Sequence, residues 1–165
     1  MLLGIISDTH MPHMAKGLPD GLLRDMEKVD YILHAGDWNS MDVYDRLSQL
    51  APVDGVAGNT DGMEIIERFG YQKVLTYESR KIGIVHGHGM RGTTEDNALG
   101  AFSGEEVDCI VFGHSHIPVI KSANGILLIN PGSPTDKRRQ PRYSYAILEI
   151  DELLRARHVF FDSKI

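Results

Sequence analysis

Apolar runs of four to six residues recur along this chain, and several stop at a glycine or a polar residue with a metal-ligating side chain. Leu3-Gly4-Ile5-Ile6-Ser7 runs into Asp8-Thr9-His10, and Tyr31-Ile32-Leu33-His34-Ala35-Gly36 into Asp37. Val53 to Gly58 leads to Asn59, Ile82 to Val85 to His86-Gly87-His88, and Cys109 to Gly113 to His114-Ser115-His116. Short apolar runs bounded by turn residues predict buried strands. Between them, Leu22, Leu23 and Met26 share one face of a predicted helix over 20–28. Ser40 is placed to cap a second helix ending near Leu50, with Val43, Leu47 and Leu50 inward, and Thr93 or Thr94 a third reaching Phe102. The stretch 62–80 predicts only a strand over 73–77 and a turn at Ser79-Arg80. Two hairpins follow, 117–122 with 126–130 across an Asn-Gly turn, and 144–150 with 154–161.

Strand-helix-strand repetition followed by hairpins predicts an α/β chain with two sheets packed face to face and helices outside. All 165 residues are expected to form one domain. The N-terminal apolar run is too short for a signal peptide and no run approaches membrane-spanning length, so no membrane association is expected. One cysteine, Cys109, gives neither an internal disulfide nor a zinc cluster and fits a reducing cytoplasm. The net charge of −6 argues against a broad grip on nucleic acid.

The chemistry lies in the run ends. Asp8 and His10, two residues apart, would point to one side of an extended backbone and suit one metal. Asp37 has two oxygens with which to bridge two ions, and Asn59 offers an amide oxygen. His86, His114 and His116 complete an N/O set without sulfur, suited to manganese or iron, with zinc or nickel as alternatives. Singly, these residues read equally well as helix caps, turn glycines and ordinary polar positions. Five such endings in one chain point to a metal centre.

In this order, Asp8-x-His10, Gly36-Asp37, Gly58-Asn59, His86 and Gly113-His114-x-His116 resemble the calcineurin-like metallophosphoesterase superfamily. Gly58-Asn59-Thr60-Asp61, His86-Gly87-His88 and Asn130-Pro131-Gly132-Ser133 are similar to its small single-domain phosphodiesterase branch, a likeness running from Ile5 to about Tyr145. The resemblance implies a four-layer αββα sandwich of two mixed sheets with a two-metal site at the strand ends. It assigns Asp8, His10, Asp37 and His116 to one divalent ion and Asp37, Asn59, His86 and His114 to the other. It also implies hydrolysis of a small phosphodiester by a hydroxide shared between the metals. Asn59, and His88 two residues past His86, are expected to be catalytic. His88 and His13 are further expected to contact substrate, and self-association is a further implication.

Other readings are a non-catalytic interaction scaffold on the same fold, a phosphomonoesterase, or a nuclease. The full ligand set weighs against the first, and the acidic balance against the last. Several residues invite a bland reading: Trp38 as core rather than a base-stacking ring, His34 as structural, His158 as surface, Asn130 as a loop-orienting amide, and Lys137-Arg138-Arg139 with Arg142 as a solvated turn. Many relatives carry a histidine after the metal-binding asparagine as general acid; here that position is Thr60.

Overall fold

A computed structural model describes residues 1–164. The described elements run β1 (Leu2–Ile6), α1 (Asp20–Met26), β2 (Tyr31–His34), α2 (Met41–Ser48), β3 (Val53–Gly55), α3 (Met63–Phe69), β4 (Gln72–Tyr77), β5 (Arg80–Val85), α4 (Thr94–Ala101), β6 (Cys109–Val111), β7 (Val119–Ala123), β8 (Ile126–Asn130), β9 (Tyr143–Ile150) and β10 (Leu154–Phe161).

The strands form two five-stranded sheets, ordered β10-β9-β1-β2-β3 and β4-β5-β6-β8-β7. Both are mixed. β1, β2 and β3 are parallel and β9 and β10 antiparallel; β5, β6 and β8 are parallel and β4 and β7 antiparallel at the edges. The final hairpin thus returns to the first sheet and makes β1 a central strand.

Alternation along the strands sorts the core into three layers. Leu3, Ile5, Leu33, Ile82, Ile84, Cys109 and Val111 meet between the sheets. Ile6, Ile32 and Ile147 face Leu22 and Met26 of α1, Val43 and Leu47 of α2, and Ile65 and Phe69 of α3. Ile110, Phe112 and Leu128 face Ala98 of α4 and the Phe102 that follows it. Helices therefore cover both outer faces, and the expected αββα sandwich is observed.

Local chemistry accounts for the helix starts. Ser40 accepts the Asp42 N–H at 3.1 Å, and Thr93 and Asp96 close a capping box. The Asn124-Gly125 turn has both residues at positive φ, as a tight hairpin turn requires. α3 is the element the sequence pattern did not predict: it opens on Gly62 without a side-chain cap and buries only Ile65 and Phe69 fully. None of the described helices is long and apolar enough to cross a membrane.

Candidate metal centre

The parallel strands of both sheets end at one edge, where ligands bind in α/β folds. Just beyond those ends lie Asp8 and His10 after β1, Asp37 after β2, Asn59 after β3, His86 after β5, and His114 and His116 after β6. Five of these seven backbones are not extended. Asp8, His10, Asp37, His114 and His116 all have positive φ, between 45° and 69°. This corrects the expectation that an extended backbone aims Asp8 and His10 together. β1 stops at Ile6, and a left-handed residue at each ligand turns its side chain inward instead. Such conformations cost energy and persist only where the surroundings fix them. Here Asp8 N–H donates to Gly36 O and His10 N–H to Asp37 O, both at 3.0 Å, tying the two loops together.

Each central carboxylate uses one oxygen for anchoring and turns the other to the imidazoles. Asp8 Oδ2 accepts from Ser7 Oγ at 2.9 Å and from the His114 N–H at 3.0 Å, across the two sheets. Its Oδ1 lies 3.5 Å from His116 Nε2 and 3.7 Å from both His10 and His86 Nε2. Asp37 Oδ1 accepts the Thr60 N–H, while Oδ2 sits 3.1 Å from His86 Nε2 and 3.5 Å from His10 Nε2. Two glycines make room for this. A Cβ at Gly58 would lie 2.1 Å from Asp37 Oδ1, and one at Gly113 2.0 Å from Ser7 Oγ. Gly58 is therefore more than a turn residue.

Second bonds orient the rings. His86 Nδ1 donates to Ala35 O at 2.7 Å and His116 Nδ1 to Asp136 O, leaving each Nε2 lone pair facing the centre. Asp8 Oδ1 and the Nε2 atoms of His10, His86 and His116 are buried without a hydrogen-bond partner. Four buried unpaired polar atoms around two carboxylates are costly unless something else binds there. Two ligand groups emerge, Asp8-His10-His116 and Asp37-His86-His114, each with its donor atoms within 4.8 Å of one another. The donor set thus fits divalent cations.

Electrostatics agree. Burial disfavours charge on Asp8, but His10, His86 and His116 outweigh it and hold its carboxyl below the usual range. Asp37 is lowered too, against burial, chiefly by His86 and by Thr60. Burial also opposes charge on His86, yet Asp37 and Asp8 push it up to about 9. An anionic pair that draws a proton onto an imidazole offers the same field to a metal ion.

Asn59 is exposed at the mouth. Its Oδ1 accepts from His114 Nδ1 at 3.1 Å, and its second lone pair remains available. His88 is exposed too, its ring 5.5 Å from that of His86 and 6.3 Å from that of His114. His13 is exposed on the turn closed by Met14 N–H to His10 O. Trp38 is fully buried, stacked between His34 and Phe69, with its indole N–H on Val56 O, so it presents no face to a ligand. Asn130 joins the loops, donating to Gly113 O and Ser115 Oγ and accepting from Gly132 N–H. His158 corrects the surface reading: it is half-buried, with Nε2 donating to Asn130 O at 2.8 Å.

Asp61, noted in the sequence only as a motif member, is a buried carboxylate whose oxygens accept the N–H groups of Asp37, Asn39 and Gly58. An acidic residue two positions after Asn59 was the available signal.

Residues 1–153 match the calcineurin-like phosphoesterase superfamily domain. The chain belongs to this superfamily. It is 39% identical over 153 residues to a probable metallophosphoesterase of Methanothermobacter thermautotrophicus, covering 92% of this chain and 87% of the relative. Among solved structures, an archaeal phosphodiesterase superposes with a TM-score of 0.75 at 25% identity, covering 98% of this chain and 100% of the other. Wild-type Vps29 of Entamoeba histolytica in complex with zinc superposes with the same TM-score at 26% identity, covering 97% and 99%. Superfamily membership supports hydrolase chemistry and divalent metals at the two ligand groups.

Proposed function

We propose that this metallophosphoesterase is a phosphodiesterase acting on small phosphodiesters with two divalent ions, manganese being the first choice for assay. Asp8, His10, Asp37 and His116 would hold one ion, and Asp37, Asn59, His86 and His114 the other. The observation that carries the reading is the four buried, unpartnered ligand atoms around Asp8 and Asp37. Asp37 Oδ2 faces a histidine of each group, the position a bridging oxygen needs. When bound, such ions supply an acidified water and polarise the phosphoryl oxygens.

The chain's own residues hold that chemistry in place. Backbone N–H groups and Ser7 lock the carboxylates, while Ala35 O and Asp136 O fix two ring tautomers. His88, and His13 from the first loop, are proposed to contact substrate. Preference for a diester rests on the likeness to an archaeal phosphodiesterase.

The test is a panel of phosphodiesters and phosphomonoesters after chelation and reconstitution with manganese, iron, zinc or nickel. Diester hydrolysis should vanish on chelation, return with metal and exceed monoester hydrolysis. Turnover of no ester with any ion overturns the reading. The likeness to Vps29 favours a second one, a binding module that keeps its metal but turns nothing over.

A further inference from the structure

Tyr71 is 47% exposed, and its one ring contact among the described residues is His88, at 6.0 Å and 59°. Its place is fixed from two directions. In the β4–β5 ladder Gln72 pairs with Val85, so Tyr71 continues the ladder opposite His86. The preceding Gly70, at φ 70° after α3, gives its carbonyl to the Ala57 N–H at 2.7 Å, in the segment leading to Asn59. An exposed tyrosine is thus anchored between the strands that supply His86 and Asn59. With His88 it forms an aromatic wall that ends against His86 and His114. Neither ring is spent on the core.

Thr60 adds a chemical constraint. Its Oγ1 accepts from Asn39 Nδ2 at 2.9 Å, and its backbone N–H donates to the Asp37 carboxylate at 3.0 Å. The hydroxyl is a very weak acid. With no acid supplied by Thr60, esters whose leaving oxygen departs as a stable anion are favoured, and alcohols attached to an aromatic ring are one such class.

We propose that Tyr71 and His88 form a binding face for an aromatic ring on the leaving oxygen, making aryl phosphodiesters the preferred substrate class. The inference rests on the phosphodiesterase reading above. In the step, a water oxygen bonds to phosphorus and loses a proton to solvent. The P–O(aryl) bond breaks, and the aryloxide leaves with the electron pair. Tyr71 contributes ring contact, worth about 0.5–1.5 kcal/mol for aromatic pairs, or roughly a twofold to tenfold preference.

The experiment uses two methyl phosphodiesters whose leaving alcohols have matched acidity, one aryl and one fluoroalkyl, with manganese-loaded enzyme. Wild type should favour the aryl ester severalfold in kcat/KM. Tyr71→Ala should erase most of that ratio by raising the aryl KM, and Tyr71→Phe should keep it. Val74→Ala, at an exposed strand position away from the wall, should change neither ester. Calorimetry adds a readout free of turnover: phenylphosphonate should bind more tightly than methylphosphonate, and Tyr71→Ala should close the gap. Equal losses on both esters, or an unchanged ratio in Tyr71→Ala with an unchanged melting temperature, overturn the proposal. If wild type hydrolyses neither ester, the phosphodiesterase reading fails, while the phosphonate comparison still decides whether the wall binds a ring.

Discussion

Asp61 holds Asp37 from behind: its Oδ2 accepts the Asp37 N–H at 2.9 Å and the Gly58 N–H at 2.7 Å, while Oδ1 takes the Asn39 N–H at 2.8 Å. One buried carboxylate thereby joins the loop carrying Asp37 to the loop carrying Asn59. Burial raises its pKa, and the negative Asp37 nearby adds to the rise, while the three N–H donors oppose it.

Asp61→Asn should therefore damage the metal centre without removing a ligand. An amide has one acceptor oxygen and turns its NH2 toward groups that are themselves donors. At least one N–H, that of part-buried Asn39 or of buried Asp37 or Gly58, loses its partner, at a cost of about 1–3 kcal/mol where the group is buried. The expected outcome is a lower melting temperature with weaker metal retention. Thermal unfolding alongside metal analysis checks it, and wild-type values for both would remove Asp61 from this role.

Metal content itself gives the second prediction. Carefully loaded wild-type protein should approach two ions per chain, from the two ligand groups. Asp37→Asn should reduce occupancy of both, because Oδ2 faces His10 of one group and His86 of the other. Loss of one ion alone would mean that Asp37 serves a single site.

The third prediction concerns acid. His34 is fully buried and stacked on Trp38. It accepts the Gly36 N–H at Nδ1, so its Nε2–H donates to Thr9 Oγ1. Burial lowers its pKa to about 3. The unfolded chain, with a histidine near ~6.5, binds the extra proton first, so stability is full above that value and falls between about 6.5 and 3. This one group should cost on the order of 3 kcal/mol by pH 4. His34→Gln should lose some stability at neutral pH and flatten the acid limb of a denaturation series. A wild-type slope in that variant would assign the acid sensitivity elsewhere.

The fourth prediction is kinetic. The residue after Asn59 is Thr60, whose hydroxyl accepts from Asn39 and is far too weak an acid to protonate the leaving oxygen. General acid help is worth typically ~10²–10⁴-fold. Across aryl phosphodiesters of rising leaving-group pKa, the chemistry-limited rate should fall steeply. A shallow dependence would identify a substitute donor, and His88→Ala would then restore the steep one.

The order of the candidate ligands was legible because parallel strands end at one sheet edge and each strand announces itself as an apolar run. How the ligands converge was not. Side-chain direction at Asp8 and His10 depends on positive φ imposed by contacts to Gly36 and Asp37, far away in sequence. α3 was hidden because its pattern is short and its first residue, Met63, is 64% exposed. His158 looked like surface because its partner, Asn130 O, belongs to the other sheet. Tyr71 gave no local signal at all: its proximity to His86 arises from strand pairing across the 77–80 turn.

The division of labour between the sheets has a consequence for dissecting the molecule. Asp8, His10 and Asp37 follow strands of the first sheet, and His86, His114 and His116 follow strands of the second. Each ligand group draws on both: Asp8 and His10 need His116, and Asp37 needs His86 and His114. Cutting the chain between α3 and β4 would yield no one-ion half-enzyme, only a carboxylate-rich piece and an imidazole-rich piece. Mixing two such fragments would make ion capture a direct signal of their reassembly, silent until β9 pairs with β1 and completes the first sheet.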